Sequence, residues 1–162
     1  IAVSIAYYCP EVRVTACDIS KAALDIAKIN ARQAGVQNRV EFCSGDLFEA
    51  LNNQESHERK FDIIVSNPPY IETDTVEQLQ SEVRDHEPYM ALDGGADGLD
   101  FYRRIVKESP RYLTAGGYLA LEIGYNQGNS VSRLMEGDFE DITVYKDYGG
   151  NNRVVVGLIK RT

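Results

Sequence analysis

The sequence has no apolar stretch approaching the roughly 18 residues of a membrane span. Its opening, Ile1-Ala2-Val3-Ser4-Ile5-Ala6, has no basic flank of the kind that precedes a secretory signal. Positive charge is also short: 17 Lys and Arg against 25 Asp and Glu give a formal net charge of −8. A phosphate backbone is held mainly by Lys and Arg that release its counterions, so direct nucleic-acid binding is not expected beyond a local basic patch. The three cysteines, Cys9, Cys17 and Cys43, show no Cys-x-x-Cys spacing and cannot all pair within one chain. They read as reduced thiols in a cytoplasmic protein. No Ser-His-Asp set, metal-ligand set, internal repeat or low-complexity segment is present, and no metal site is expected. His57 and His86 stand apart in polar stretches and read as loop residues.

What is there is an ordinary globular composition, 43% hydrophobic and 26% charged, in 162 residues. Such a length buries roughly two thirds of its unfolded surface in one core, so residues 1–162 are expected to form a single domain. The β-rich run at 12–17 reads as a strand ending at Asp18. Ser20 then caps a helix over 21–34, with Leu24, Ala27, Ala31 and Ala34 on one face and Gly35 as its stop. A second strand follows at 40–43. The apolar run at 61–66 has the pattern of a strand buried on both faces, halted by Asn67-Pro68-Pro69-Tyr70 because prolines remove ladder donors.

Residues 71–97 are polar and irregular, long enough to suggest a working loop. Asp100 is expected to cap a helix to about Leu113, with Pro110 either kinking it or splitting off its last turn. Gly116-Gly117 turns the chain into a buried strand at 118–123. A helix over 128–135 and strands near 142–145 and 153–160 complete the pattern, the last two forming an antiparallel hairpin across 147–152. Strands alternating with helices give an α/β class, a mostly parallel Rossmann-like sheet with an antiparallel edge. Ligands then bind beyond the carboxyl ends of the strands, where Asp18, Asp46 and Asn67 fall.

At each of these positions two readings stand. Asp18 can accept hydrogen bonds from both hydroxyls of a ribose, or it can help Ser20 cap the following helix. Asp46 can accept from an exocyclic amine such as that of adenine while Leu47 or Phe48 packs on the ring, or it is a solvated turn aspartate. Glu122 ends a strand beside Gly124 and either faces the cleft or is held by backbone donors. Asn67-Pro68-Pro69-Tyr70 is the sharpest feature. Asn-Pro is often only a turn, but a rigid turn directly after a buried strand aims fixed polar groups at the cleft.

The residue types at that turn suit one chemistry. An amide nitrogen is a poor nucleophile because its lone pair is delocalised. The Asn67 side-chain oxygen and the Pro68 carbonyl can accept the two N–H bonds of a primary amide, fixing it and favouring lone-pair density on nitrogen. Tyr70 can cover the planar group and offer a π face near a cationic methyl donor. A nucleoside-binding unit would carry a glycine-rich turn about 20 residues before Asp18. Counting back leads upstream of Ile1, so either no glycine loop exists or it and its strand precede this sequence, as the helix-like opening suggests. A dinucleotide cofactor would fit Asp18 but gives Asn67-Pro68-Pro69-Tyr70 no role.

In this order, Ala16-Cys17-Asp18-Ile19-Ser20, Gly45-Asp46-Leu47-Phe48, Asn67-Pro68-Pro69-Tyr70-Ile71, Glu87-Pro88 with Gly94-Gly95, Leu121-Glu122-Ile123-Gly124 and Asp147-Tyr148-Gly149 with Arg153 span nearly the whole chain. The chain resembles the HemK-like (PrmC) family, which methylates the glutamine of the Gly-Gly-Gln motif of peptide-chain release factors. That resemblance implies S-adenosyl-L-methionine as cofactor and a sheet of order 3-2-1-4-5-7-6. It implies Asp18 and Ile19 at the ribose, Asp46 and Leu47 at adenine with Asn67 near the cofactor, and Asn67, Pro68, Pro69 and Tyr70 at the substrate amide. The product would be N5-methylglutamine and the partner a release factor. Asn-Pro-Pro-Tyr also occurs in enzymes that methylate DNA or RNA bases. A base N-methyltransferase therefore remains an alternative, as does a fragment whose catalysis is impaired.

Overall fold

The computed structural model describes residues 1–52, 59–78 and 88–161. His57, His86 and Glu87 lie outside these. The chain divides into two compact units, Ile1–Arg59 and Lys60–Thr162, each built around its own sheet.

The first unit runs α1 (Ala2–Tyr8), β1 (Val14–Asp18), α2 (Lys21–Gln33), β2 (Val40–Ser44) and a 3-10 turn (Leu47–Leu51). Helix α2 starts where the sequence predicts: Ser20 is extended and its hydroxyl accepts from the Ala23 N–H at 3.2 Å. It stops at Gly35, whose φ is +69°. Leu24 and Ala31 are buried while Ala27 and Ala34 are half-buried, so the apolar stripe faces inward as its spacing requires. Strands β1 and β2 pair in parallel from Val14↔Val40 to Asp18↔Ser44. The core is small-residue packing of Ala6, Ala31, Val36 and Val40 against Val3, Val14, Ala16, Ala34 and Phe42. Strand β1 begins at Val14 rather than at 12 because Val12 is taken by a turn, its N–H donating to the Cys9 carbonyl at 3.2 Å.

The second unit contains β3 (Phe61–Ser66), α3 (Thr73–Val76), α4 (Tyr89–Leu92), α5 (Asp100–Glu108), β4 (Leu113–Glu122), α6 (Gly128–Met135), β5 (Phe139–Lys146) and β6 (Asn152–Ile159). Its sheet order is β3-β4-β6-β5, parallel between β3 and β4 and antiparallel elsewhere. Within each sheet the neighbours are those that the order 3-2-1-4-5-7-6 assigns to its second to seventh strands. Leu119, Leu121, Ile123, Val155 and Ile159 form the buried side, with Tyr102, Ile105 and Val106 from α5, Val131 and Met135 from α6, and Phe139 also buried. The antiparallel hairpin is closed as predicted, the Gly150 N–H donating to the Asp147 carbonyl at 3.0 Å. Pro110 has the second of its two predicted effects: the helix ends at Glu108 and a separate 3-10 turn, Ser109–Arg111, follows.

Four further expectations are corrected. Strand β3 is not buried on both faces. Ile63 is 58% exposed, and with Val65 and its register partner Tyr118 it shares a sheet face that is open at these positions. Strand β4 starts at Leu113 rather than 118, running straight through Gly116-Gly117; there the glycines absorb a register shift against β3 instead of ending the strand. The cap of α5 is Leu99, with Asp100 inside the first turn and no side-chain cap bond. Strand β5 begins at Phe139, and a bulge marked by Asp141 at φ +52° hides its first half from the sequence pattern. Among the described residues, no helix is long and apolar enough to cross a membrane.

Candidate active site

In a parallel pair both carboxyl ends lie on one edge, and in the first unit that edge gathers Asp18 and Asp46. Strand β1 ends at Asp18 and β2 at Ser44, and the Gly45 N–H donates to the Asp18 carbonyl at 3.1 Å. One carboxylate oxygen of Asp18 accepts the Ser20 N–H at 2.8 Å. That bond fixes the side chain while leaving acceptor capacity on the carboxylate, so the capping role and the ribose role coexist. Asp18 and Ile19 are exposed.

Asp46 is half-buried at the head of the 3-10 turn, its carbonyl accepting the Glu49 N–H at 3.0 Å. Gly45 is required here: a Cβ would lie 2.7 Å from the Ala50 Cα, so only glycine lets the turn fold back on the strand end. Leu47 holds φ +46°, an uncommon conformation for a branched side chain, kept in place by buried Phe48, Ala50 and Leu51. Sequence reading named Leu47 as a ring contact but gave no sign of this backbone. Two acceptor-only carboxylates beside Ile19 and Leu47 match a nucleoside, which presents hydroxyl and amine donors around an apolar ring. The chemistry of these residues therefore fits the nucleoside part of S-adenosylmethionine.

In the second unit, β3 ends at Ser66, in register with Leu121, so the Asn67 turn starts beside Glu122. Asn67 is exposed, Pro68 buried, and Pro69 and Tyr70 half-buried. The chain beyond is zipped to the following loop by three main-chain bonds: Ile71 N–H to the Leu92 carbonyl at 3.0 Å, Gly94 N–H to the Ile71 carbonyl at 2.8 Å, and Thr73 N–H to the Gly95 carbonyl at 3.0 Å. Asp93 reinforces the join, accepting the Thr73 hydroxyl at 2.7 Å and the Gly95 N–H at 3.0 Å. Those two donors hold its carboxyl below the usual range. Within its described parts, residues 71–97 are therefore a fastened loop.

Behind the turn lies a buried polar group that sequence reading missed. Tyr102 is fully buried and donates to the Glu122 carbonyl at 2.8 Å. Burial, then the proximity of Tyr70 and Glu122, pushes its phenol above the ordinary tyrosine range. Gln127, also buried, donates to the Tyr70 carbonyl at 3.0 Å. Arg153 forks onto Asp147 at 3.0 and 3.2 Å, and this pairing leads the causes that raise its pKa, with Tyr70 among the lesser ones. The only hint of Tyr102 in the sequence was its helical spacing with Ile105 and Val106. For Gln127 there was none.

The family model described as a methyltransferase domain matches residues 1–147. The chain belongs to the methyltransferase domain family. It is 43% identical over 159 residues to a release factor glutamine methyltransferase of Clostridium acetobutylicum, covering 98% of this chain and 55% of that protein. It is 45% identical over 160 residues to the protein of the same name from Geobacter sulfurreducens, covering 98% and 54%. Among solved structures, the release-factor-specific protein-(glutamine-N5) methyltransferase of Alicyclobacillus acidocaldarius matches with a TM-score of 0.54 at 25% identity, covering 98% of this chain and 88% of that one. This methyltransferase domain spans about half the length of the curated relatives it matches. Its sheets and flanking helices are those of the Rossmann-like methyltransferase fold expected from the sequence.

Proposed function

We propose that this chain is the cofactor-binding and catalytic part of an S-adenosylmethionine-dependent methyltransferase acting on the side-chain nitrogen of a protein glutamine, that of the Gly-Gly-Gln motif in a peptide-chain release factor. The observation that carries this reading is a proline-stiffened turn that leaves a parallel strand directly and is bonded at its far end, at the Tyr70 carbonyl. The names of the relatives point to the same substrate. Both units belong in this reading to one catalytic domain, residues 1–162, working in the cytoplasm without nucleic acid or membrane as partner.

Bound S-adenosylmethionine supplies a methyl group made electrophilic by its sulfonium. Asp18 and Ile19 hold the ribose, and Asp46 and Leu47 hold adenine. Asn67 Oδ1 and the Pro68 carbonyl accept the two N–H bonds of the glutamine amide, which orients the nitrogen and raises its lone-pair density. Prolines at 68 and 69 reduce the freedom the turn would otherwise lose on binding, so alignment costs little entropy. Tyr70 covers the amide plane and excludes water. No base is needed before attack: methyl transfer leaves the nitrogen strongly acidic, and the proton it sheds passes to solvent water while the remaining N–H stays hydrogen-bonded to the turn.

A radioactive-methyl assay offering release factor, DNA and RNA side by side tests this. Label in the release factor alone is the expected result, and label in either nucleic acid assigns the turn to a base amine instead.

A further inference from the structure

Gln127 makes an unusual set of bonds for a residue at the start of a helix. It is 8% exposed, yet its amide oxygen and both amide hydrogens are bonded. The Oε1 atom accepts the Gly124 N–H at 2.9 Å, and the Nε2 atom donates to the Tyr70 carbonyl at 3.0 Å and the Gly98 carbonyl at 3.2 Å. The Tyr102 hydroxyl stands 3.5 Å from Oε1. The partners fix the amide orientation, since the flipped amide would set an oxygen against two carbonyls and an NH2 against an N–H.

These partners are not part of a helix or sheet ladder. They belong to three separate loops: the turn after β3, the loop before α5 and the loop after β4. The Tyr70 carbonyl is boxed in as well as bonded, because the Cβ position of Gly98 lies within 2.4 Å of it and that of Gly94 within 2.7 Å of the Tyr70 Cα. One side chain thus ties the far end of the Asn67-Pro68-Pro69-Tyr70 turn to the loop before α5 and to the loop after β4. The prolines stiffen the turn internally, but stiffness does not determine where the turn points. The bond at its end does.

We infer that Gln127 is the positioning residue for this turn: by holding the Tyr70 carbonyl it sets the direction in which Asn67 Oδ1 and the Pro68 carbonyl meet the substrate amide. The inference rests on the function proposed above for the turn, and it assigns Gln127 no contact with substrate or cofactor. Gln127→Glu tests it closely. The shape and the acceptor for Gly124 are kept, but ionised Glu places an oxygen against two carbonyls, and only the protonated acid regains one donor. Gln127→Met supplies a similar shape with no polar atoms.

Both variants are expected to lower kcat for methyl transfer to a release factor by roughly 10- to 100-fold, the scale of a misplaced reacting group, with S-adenosylmethionine affinity by calorimetry unchanged. Gln127→Glu is expected to recover part of its rate relative to wild type as the pH falls; Gln127→Met is not. A role confined to stability would lower melting temperature in both variants and leave the pH profile and kcat per folded molecule alone. That result would overturn the inference. NMR decides the matter without activity: the Asn67 side-chain NH2 resonances and the Ile71 amide are expected to shift in Gln127→Glu and move back at low pH. Unmoved resonances would refute the positioning role even if wild type proved to methylate some other acceptor, and a wild type that transfers nothing to glutamine would refute the proposed function alone.

Discussion

Gly98→Ala probes the packing behind the turn. Gly98 sits at φ +69°, so any β-carbon there bears the left-handed penalty of roughly 1–2 kcal/mol. The added methyl also lies 2.4 Å from the Tyr70 carbonyl oxygen and 2.7 Å from Gln127 Nε2, deep inside van der Waals contact. Relief requires the carbonyl and the amide to separate, lengthening the 3.0 Å bond between them. Losing one buried hydrogen bond costs about 1–3 kcal/mol, so the whole change is expected to destabilise by about 2–5 kcal/mol. Gly150→Ala is the control in the same unit: its φ is +83°, and nothing lies within 4 Å of the Cβ position, so it carries the backbone penalty alone. Urea unfolding followed by circular dichroism measures both. Gly98→Ala is expected to exceed Gly150→Ala by about 1–3 kcal/mol, and equal losses would show that the boxed carbonyl does not exist.

Asn67→Ala is expected to abolish methyl transfer while leaving S-adenosylmethionine affinity by calorimetry nearly intact, because the residue serves the acceptor amide; transfer at the normal rate would remove it from the mechanism. Tyr102→Phe keeps the buried ring but loses the 2.8 Å bond to the Glu122 carbonyl, and is expected to cost about 1–2 kcal/mol in urea unfolding. Asp147 contributes an acid-sensitive term. The Asn151 N–H, then Arg153, hold its carboxyl below the usual carboxylate range. A lowered folded pKa stabilises the fold above the unfolded value near 3.8, and that stability is lost as the pH falls through the folded pKa. Asp147→Asn is therefore expected to be less stable than wild type at neutral pH and to lose less on acidification, measured as urea midpoints at about pH 7 and pH 3.

Those features of the fold that depend on local chemistry were legible in the sequence. Ser20 and Gly35 bracket α2 because a hydroxyl acceptor and a left-handed residue act within one helical turn. Pro110 breaks its helix and Pro68-Pro69 end β3 for equally local reasons. Features that depend on partners distant in the chain were not. Gly116-Gly117 has the composition of a turn, and only pairing with β3 makes it a bulge within a strand. Ile63 and Val65 carry the apolar signal of a doubly buried strand, yet apolarity does not say which face is covered. At the site, Asp18, Asp46 and Asn67 could be named because each follows a strand. Gln127 could not, since the carbonyls it donates to belong to Tyr70 and Gly98, far upstream in the chain, and nothing in the sequence brings these to it.

The most direct test is to locate the transferred methyl group. A release factor incubated with this protein and S-adenosylmethionine, then digested and sequenced by tandem mass spectrometry, is expected to carry a single methyl on the side-chain nitrogen of the Gly-Gly-Gln glutamine. A methyl on any other residue, or none while the cofactor demonstrably binds, would contradict the account.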